Sequence, residues 1–184
     1  MTSIRLQALY SCDYPTKQEE EKTARHIYES SFPEDERRDF LMMKALSESE
    51  AFVFNLIKTQ EEQVVGIISL WDFDGFCYIE HFALAEETRG KGTGSEVLRI
   101  LKQKIQKPIV FEVELPDSEQ ARRRIAFYRR HDFELLPYKY VQPPYDKTKR
   151  SMEMHIMASR NAAMDKATFN SVVQNLYTAV YRLG

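Results

Sequence analysis

Apolar positions change period several times along this chain, and each change marks an element. Near the start, Ile4, Leu6, Ala8 and Tyr10 alternate with Arg5 and Gln7, the two-residue period of a strand. Residues 13–15 read as a turn, and Thr16-x-x-Glu19 has the spacing of a capping box opening a helix that buries Ala24, Ile27 and Tyr28. Pro33 ends that helix, and Ser31-Phe32-Pro33-Glu34 predicts a second helix to about Leu46, with proline in its first turn. Strands over 51–58 and 64–73 follow, then the hairpin signal Asp74-Gly75 and a strand over 76–84. Val97, Leu98, Leu101 and Ile105 stand at helical spacing, and the apolar run 109–115 suits a central strand. Pro116-Asp117-Ser118 starts a helix ending near His131, followed by Asp132 where a left-handed glycine is usual. Strands over 133–141 and 151–157 come next, and residues 164–183 form a helix with the apolar stripe Phe169, Val172, Val173, Leu176, Tyr177 and Val180. The predicted fold class is mixed α+β, about seven strands flanked by helices in the order β-α-α-β-β-β-α-β-α-β-β, plus a C-terminal helix.

Between the strand at 76–84 and the next helix lies Arg89-Gly90-Lys91-Gly92-Thr93-Gly94-Ser95, holding three of the chain's six glycines within five residues. Glycine accepts positive φ and lets another molecule approach the backbone. A glycine loop before a helix aims free N–H groups at one point, where the helix dipole also favours negative charge. With Arg89 and Lys91 alongside, the loop reads as a seat for a phosphate or diphosphate. The P-loop pattern is absent. The dinucleotide fingerprint is approached by Gly92-x-Gly94-x-x-Val97, with Glu112 or Glu114 about twenty residues on, so a dinucleotide-binding protein is a rival reading. Against it, several polar residues separate strand from glycines, and the preceding strands look like hairpins rather than βαβ repeats.

Arg89, Gly92 and Gly94 do match Arg-x-x-Gly-x-Gly, which resembles the acetyl-CoA pyrophosphate loop of the GNAT N-acetyltransferase superfamily. The resemblance extends to the order of elements, helix pair included. It implies a GNAT domain over residues 1–160, with 161–184 as an added amphipathic helix packed on that domain or at a homodimer interface. It also implies an acetyl-CoA-dependent N-acetyltransferase that passes the acetyl group directly to a primary amine in a ternary complex. The coenzyme would then meet Phe82, Ala83, Leu84, Arg89, Gly90, Lys91, Gly92, Thr93, Gly94, Ser95 and Tyr128. The strand at 76–84 would splay from the next, so that the pantetheine arm bonds to it like an added strand. A non-catalytic acyl-CoA-binding sensor is the alternative from another class.

Composition narrows the partners. The chain has 184 residues, is 43% hydrophobic and 29% charged, and carries a net charge of −2, which gives no support for nucleic-acid binding. No apolar run approaches a membrane span, and no signal-peptide core opens the chain. Cys12 and Cys77 are far apart and the four histidines are scattered, so no metal site is expected, and a cytoplasmic protein is. The expected partner is a small-molecule or peptide amine.

Acetyl transfer needs a neutral amine, a base, a donor for the thioester oxygen and an acid for the departing sulfur. Tyr128, in Phe127-Tyr128 upstream of Phe133, resembles the superfamily tyrosine that protonates the coenzyme sulfur. Asp132 and Ala121 depart from that pattern, where family members usually have glycine and many have asparagine. Glu80 is the candidate base: strand parity puts it on one face with Phe82 and Leu84, and apolar neighbours would raise its pKa. Glu112, and less so Glu114, compete for that role. Parity sends His81 to the opposite face as a structural residue. Arg122, Arg123, Arg124, Arg129 and Arg130 read mostly as a solvated helix face, with one or two able to reach phosphates. Trp71, Phe32, Tyr138, Tyr140 and Tyr145 suit either an amine pocket or packing.

Overall fold

Alternating and continuous apolar runs become strands, and the computed structural model describes them within residues 3–11, 17–160, 162 and 164–182. The result is a mixed α+β fold of eight mostly antiparallel strands flanked by helices. The chain divides into two units, Met1–Gln106 and Lys107–Gly184.

In the first unit β1 (Ile4–Ala8), β2 (Phe52–Thr59), β3 (Val64–Phe73) and β4 (Phe76–Leu84) pair antiparallel in chain order. Phe73 faces Phe76, so Asp74-Gly75 is a two-residue hairpin as its sequence predicts. Helix α1 (Gln18–Ser31) buries Ala24, Ile27 and Tyr28, and Tyr28, Phe40 and Phe54 pack ring against ring at 5.7–6.3 Å. Its expected capping residue Thr16, the turn at 13–15 and Cys12 lie outside the described residues. Glu19, Glu20 and Glu21 in the first turn suit the helix dipole.

The predicted second helix from residue 31 to Leu46 does not form as one piece. A 3-10 turn spans Glu34–Glu36, the chain is extended at Arg37 (φ −141°, ψ 154°), and only α2 (Met42–Leu46) is α-helical. The cause is Arg38, whose N–H donates to the Tyr28 hydroxyl at 2.9 Å and whose buried side chain turns inward, away from a helical path. Helix α3 (Thr93–Lys104) buries Val97, Leu98 and Leu101 as its periodicity predicts.

In the second unit β5 (Ile109–Glu114), β6 (Phe133–Leu135) and β7 (Tyr140–Gln142) each pair antiparallel with β8 (Met152–Ser159). The single strand predicted over 133–141 is two strands, which makes eight in place of about seven. From Leu135 to Tyr140 the chain advances five residues while β8 retreats three, from Met157 to Met154. Pro137 lies in that excess and has no N–H for a ladder. Helix α4 (Glu119–Arg129) is capped by Ser118, whose side chain accepts from the Ala121 N–H. Asp132 takes the left-handed turn after all, at φ 61°, and its carbonyl accepts from the Arg160 N–H at 2.8 Å.

The C-terminal segment is α5 (Lys166–Asn175), capped by Asp165, followed by a π-helical turn over Leu176–Val180. The uninterrupted helix predicted to residue 183 therefore widens at its end: the Tyr181 N–H donates to the Leu176 carbonyl. Phe169, Val172, Leu176 and Val180 are buried, with Phe169 against the Tyr138 ring at 4.8 Å.

Candidate functional site

The glycine loop leaves β4 at Leu84, makes a 3-10 turn over Glu86–Thr88 and enters α3 at Thr93. Gly90 and Gly92 both have positive φ, +74° and +84°, and a Cβ at either would meet no atom within 4 Å. Gly92 is the N-cap of α3 with no side-chain cap bond. The peptide N–H groups of Gly90, Lys91, Gly92, Thr93 and Gly94 donate no hydrogen bond among the described residues. Arg89 pins the loop entry, its Nε donating to the Leu84 carbonyl at 3.0 Å and an Nη to Ser31 Oγ at 3.3 Å. Lys91 is exposed and Ser95 lies in the first turn of the helix. Bare amides, a helix N-terminus and open space in front of two glycines make a cradle for an anion.

On β4, Phe82, Ala83 and Leu84 pair with Ile68, Ile67 and Gly66 of β3, and Phe82 and Leu84 stay partly exposed. Just before them the ladder slips. Ser69 faces His81 and Leu70 faces Ile79, leaving Glu80 as a bulge residue without a partner opposite. The bulge overrides strand parity. Glu80 meets the segment after α1 and His81 meets α1 itself: Glu80 Oε1 accepts from Arg38 Nε at 2.8 Å, and His81 Nε2 lies 3.3 Å from the Tyr28 hydroxyl. His81 therefore does not point to the face opposite Glu80, as alternation predicted.

The Glu80 carboxylate is fully enclosed, and Trp71 Nε1 donates to its Oε2 at 2.7 Å. Its expected upward pKa shift is also corrected. Burial pushes the carboxyl up, but the Arg38 charge, His81 at 3.9 Å and the two donated hydrogen bonds outweigh it and hold the group below its ordinary value. Burial alone was legible in the sequence; the guanidinium was not.

Glu112 on β5 is partly exposed and receives the hydroxyls of Tyr140, from β7, and Tyr181, the latter at 2.8 Å to Oε2 and 3.1 Å to Oε1. Burial and then Glu112 push the Tyr140 phenol well above its ordinary value. Tyr181 packs against Tyr145 with the rings tilted at 5.0 Å, and the Tyr177 ring lies 6.0 Å from Tyr140. Glu114 is bound instead to Arg124 at 2.6 Å.

Tyr128 on α4 is buried against Phe111, Phe127 and Phe133 with ring centroids 4.4, 5.3 and 6.2 Å away. Burial pushes its phenol up to about 12, so it is neutral at physiological pH. Its hydroxyl makes no hydrogen bond among the described residues and is free to donate one.

Of the arginines on α4, Arg122 donates to the Pro116 carbonyl and Arg123 pairs with Glu119. Among the described residues no group of three histidine, cysteine or acidic side chains is placed to hold a metal ion, and no helix is long and apolar enough to cross a membrane. Sequence reasoning missed Arg38, Tyr181 and Tyr28 as partners of the candidate groups. They lie 42, 69 and 53 residues from the groups they hold, beyond any local pattern.

The model of the acetyltransferase (GNAT) family matches residues 6–133. A GNAT-family structure from Bacteroides thetaiotaomicron superposes with a TM-score of 0.87 at 33% identity, over 98% of this chain and 99% of the other. A Bacillus subtilis (strain 168) protein that carries an acetyltransferase name, YjbC, is 29% identical over 104 residues, and the aligned part spans 52% of that protein's length. The ribosomal-protein-S18-alanine N-acetyltransferase from Escherichia coli has the same fold at 13% identity, with a TM-score of 0.57 over 89% of this chain and 97% of the other.

Proposed function

Since this chain belongs to the GNAT acetyltransferase family, we propose that it moves an acetyl group from acetyl-CoA to a primary amine, by direct attack while both are bound. The observation that carries the reading is the run of undonated amides from Gly90 to Gly94 at the head of α3. Acetyl-CoA supplies the thioester, and its diphosphate is the anion such a run fits. Lys91 adds charge, and Arg89 acts by fixing the loop on Leu84 and Ser31. Backbone groups of the Phe82–Leu84 stretch orient the thioester and donate to its oxygen as charge builds there.

Tyr128 is the donor to the departing sulfur. A phenol pushed up to about 12 gives a proton reluctantly to a thiolate whose own value is about 8.5. Its contribution is a hydrogen bond that strengthens as the carbon–sulfur bond breaks. The attacking nitrogen must lose a proton, and the lowered Glu80 carboxylate is a weak acceptor for it. Glu112, directly or through a water, is the alternative base, with Tyr140 and Tyr181 donating their hydroxyls to it. Acetyl-CoA as co-substrate, a small-molecule or peptide amine as acceptor, and a cytoplasmic setting complete the reading.

The test is thiol release from acetyl-CoA across a panel of amines, with the acetylated product identified by mass. Product with at least one amine, lost in Gly92→Glu, supports the reading. Tight acetyl-CoA binding with no product across the panel makes the protein an acyl-CoA sensor, and a response to NADH in place of acetyl-CoA restores the dinucleotide rival.

A further inference from the structure

Strand β1 stands at the end of the strand order and pairs with β2 alone. Ile4, Leu6 and Ala8 face Thr59, Ile57 and Asn55, and just beyond them the Leu9 N–H donates to the Phe54 carbonyl at 2.8 Å. Antiparallel pairs alternate between bonded and non-bonded, so counting back from Leu9 makes Gln7 and Arg5 the bonded residues. The N–H and C=O groups of Ile4, Leu6 and Ala8 therefore turn away from β2, and none of these three residues bonds elsewhere among the described residues. An edge with unpaired backbone groups is a template for an added strand. The charge that would guard it is Arg5, whose guanidinium is folded back onto Glu62, at 2.5 and 2.6 Å from the two carboxylate oxygens.

Beside this edge lies a cleft of about 280 Å³ between β1 and α3. Leu6 and Ile100, both partly exposed, give it an apolar wall, and Arg99 and Lys104 stand along its α3 side. Arg99 is engaged with Glu96 at 2.6 and 2.8 Å. Lys104 is exposed and makes no ion pair or hydrogen bond among the described residues. A second copy of the chain does not suit this edge, because pairing β1 with β1 brings two such cationic rims together. A strand with acidic side chains meets the opposite charge.

We propose that the β1 edge docks an extended acidic peptide segment of a partner. The segment pairs with the outward groups of Ile4, Leu6 and Ala8, lays apolar side chains on Leu6 and Ile100, and brings a carboxylate to Lys104. The site is independent of the acetyl-transfer reading: it uses β1 and the last turns of α3, whereas the glycine loop lies at the other end of that helix.

The test is a ¹⁵N–¹H titration of the full chain, without acetyl-CoA, with the capped peptide acetyl-Glu-Thr-Val-Thr-Glu-amide and with its counterpart carrying lysine for both glutamates. The first, third and fifth side chains of an extended peptide share one face, so both charges and the valine can meet the cleft together. The acidic peptide is expected to give saturable shifts and slower exchange at the Ile4, Leu6 and Ala8 amides, and to bind about tenfold or more tighter than the lysine peptide. Leu6→Pro deletes an outward N–H without touching the β2 ladder and is expected to abolish the response. Where that variant folds poorly, Lys104→Glu, on an exposed turn of α3, carries the test through an affinity loss of about tenfold. No saturable shift on β1, equal responses to the two peptides, or unchanged binding in Lys104→Glu would each overturn the proposal. A concentration-dependent dimer lost in Leu6→Pro would overturn it too, by giving the edge to a second copy.

Discussion

Two carboxylates on strands, Glu80 in the first unit as the candidate base and Glu112 in the second as its competitor, are divided by their surroundings. Glu80 is fully enclosed and bound by a guanidinium and an indole N–H. Glu112 is partly exposed and receives two phenols. The guanidinium stabilises the ionised form and lowers the carboxyl's readiness to take a proton. Phenols orient a carboxylate without bringing a positive charge of their own. The lesson from Glu80 is that burial alone does not make a base, since the cation buried with it stabilises its ionised form.

The comparison breaks first at Arg38. Arg38→Ala leaves Glu80 enclosed without its cation and is expected to cost about 3–5 kcal/mol of stability, read as a lower denaturant midpoint. A loss under about 1 kcal/mol would mean that water reaches Glu80 and that the pair behaves as an exposed one. Tyr181→Phe, in the other cluster, removes one neutral donor and is expected to cost about 1–3 kcal/mol, with a fall in kcat larger than any change in KM for acetyl-CoA. Equal losses in the two clusters would erase the distinction.

The pH dependence sharpens it further. The folded Glu80 carboxyl lies below its unfolded value, so its contribution is present above about pH 4.3 and fades as pH falls through the folded value. Tyr128 has the opposite sign: its folded phenol is raised to about 12, so its contribution is complete below about pH 10 and is lost between there and about 12. Tyr128→Phe is expected to flatten that alkaline limb of stability and to lower kcat by about 10²-fold or more, the scale of a positioned donor. A kcat limb that titrates near neutral pH and survives in Tyr128→Phe belongs to another group.

Much of the fold was legible because its signals are local. Alternation in β1, the Asp74-Gly75 turn and the stripes of α1 and α3 each depend on neighbours a few residues apart. The glycine loop was legible for the same reason, since Gly90 and Gly92 adopt the positive φ that their spacing invites. Pro137 was a local signal too, and reading 133–141 as one strand gave too little weight to its missing N–H. What stayed hidden is long-range. Nothing near Glu80 announces a bulge, yet one extra residue sets His81 against Tyr28 of α1 and Glu80 against Arg38 in the segment after that helix. Nothing near residue 38 announces that an arginine will break a helix to reach a strand 42 residues away. Tyr181 holds Glu112 across 69 residues, and only the folded chain brings them together.

The central claim is that the amides of residues 90–94 receive the diphosphate of acetyl-CoA. It is tested most directly by the ¹⁵N–¹H resonances of Gly90, Lys91, Gly92, Thr93 and Gly94 during titration with acetyl-CoA. The account predicts saturable shifts in this run larger than those elsewhere on α3, accompanied by slower amide exchange and lost in Gly92→Glu. Unmoved loop amides at saturating acetyl-CoA, with transfer still proceeding, would contradict it.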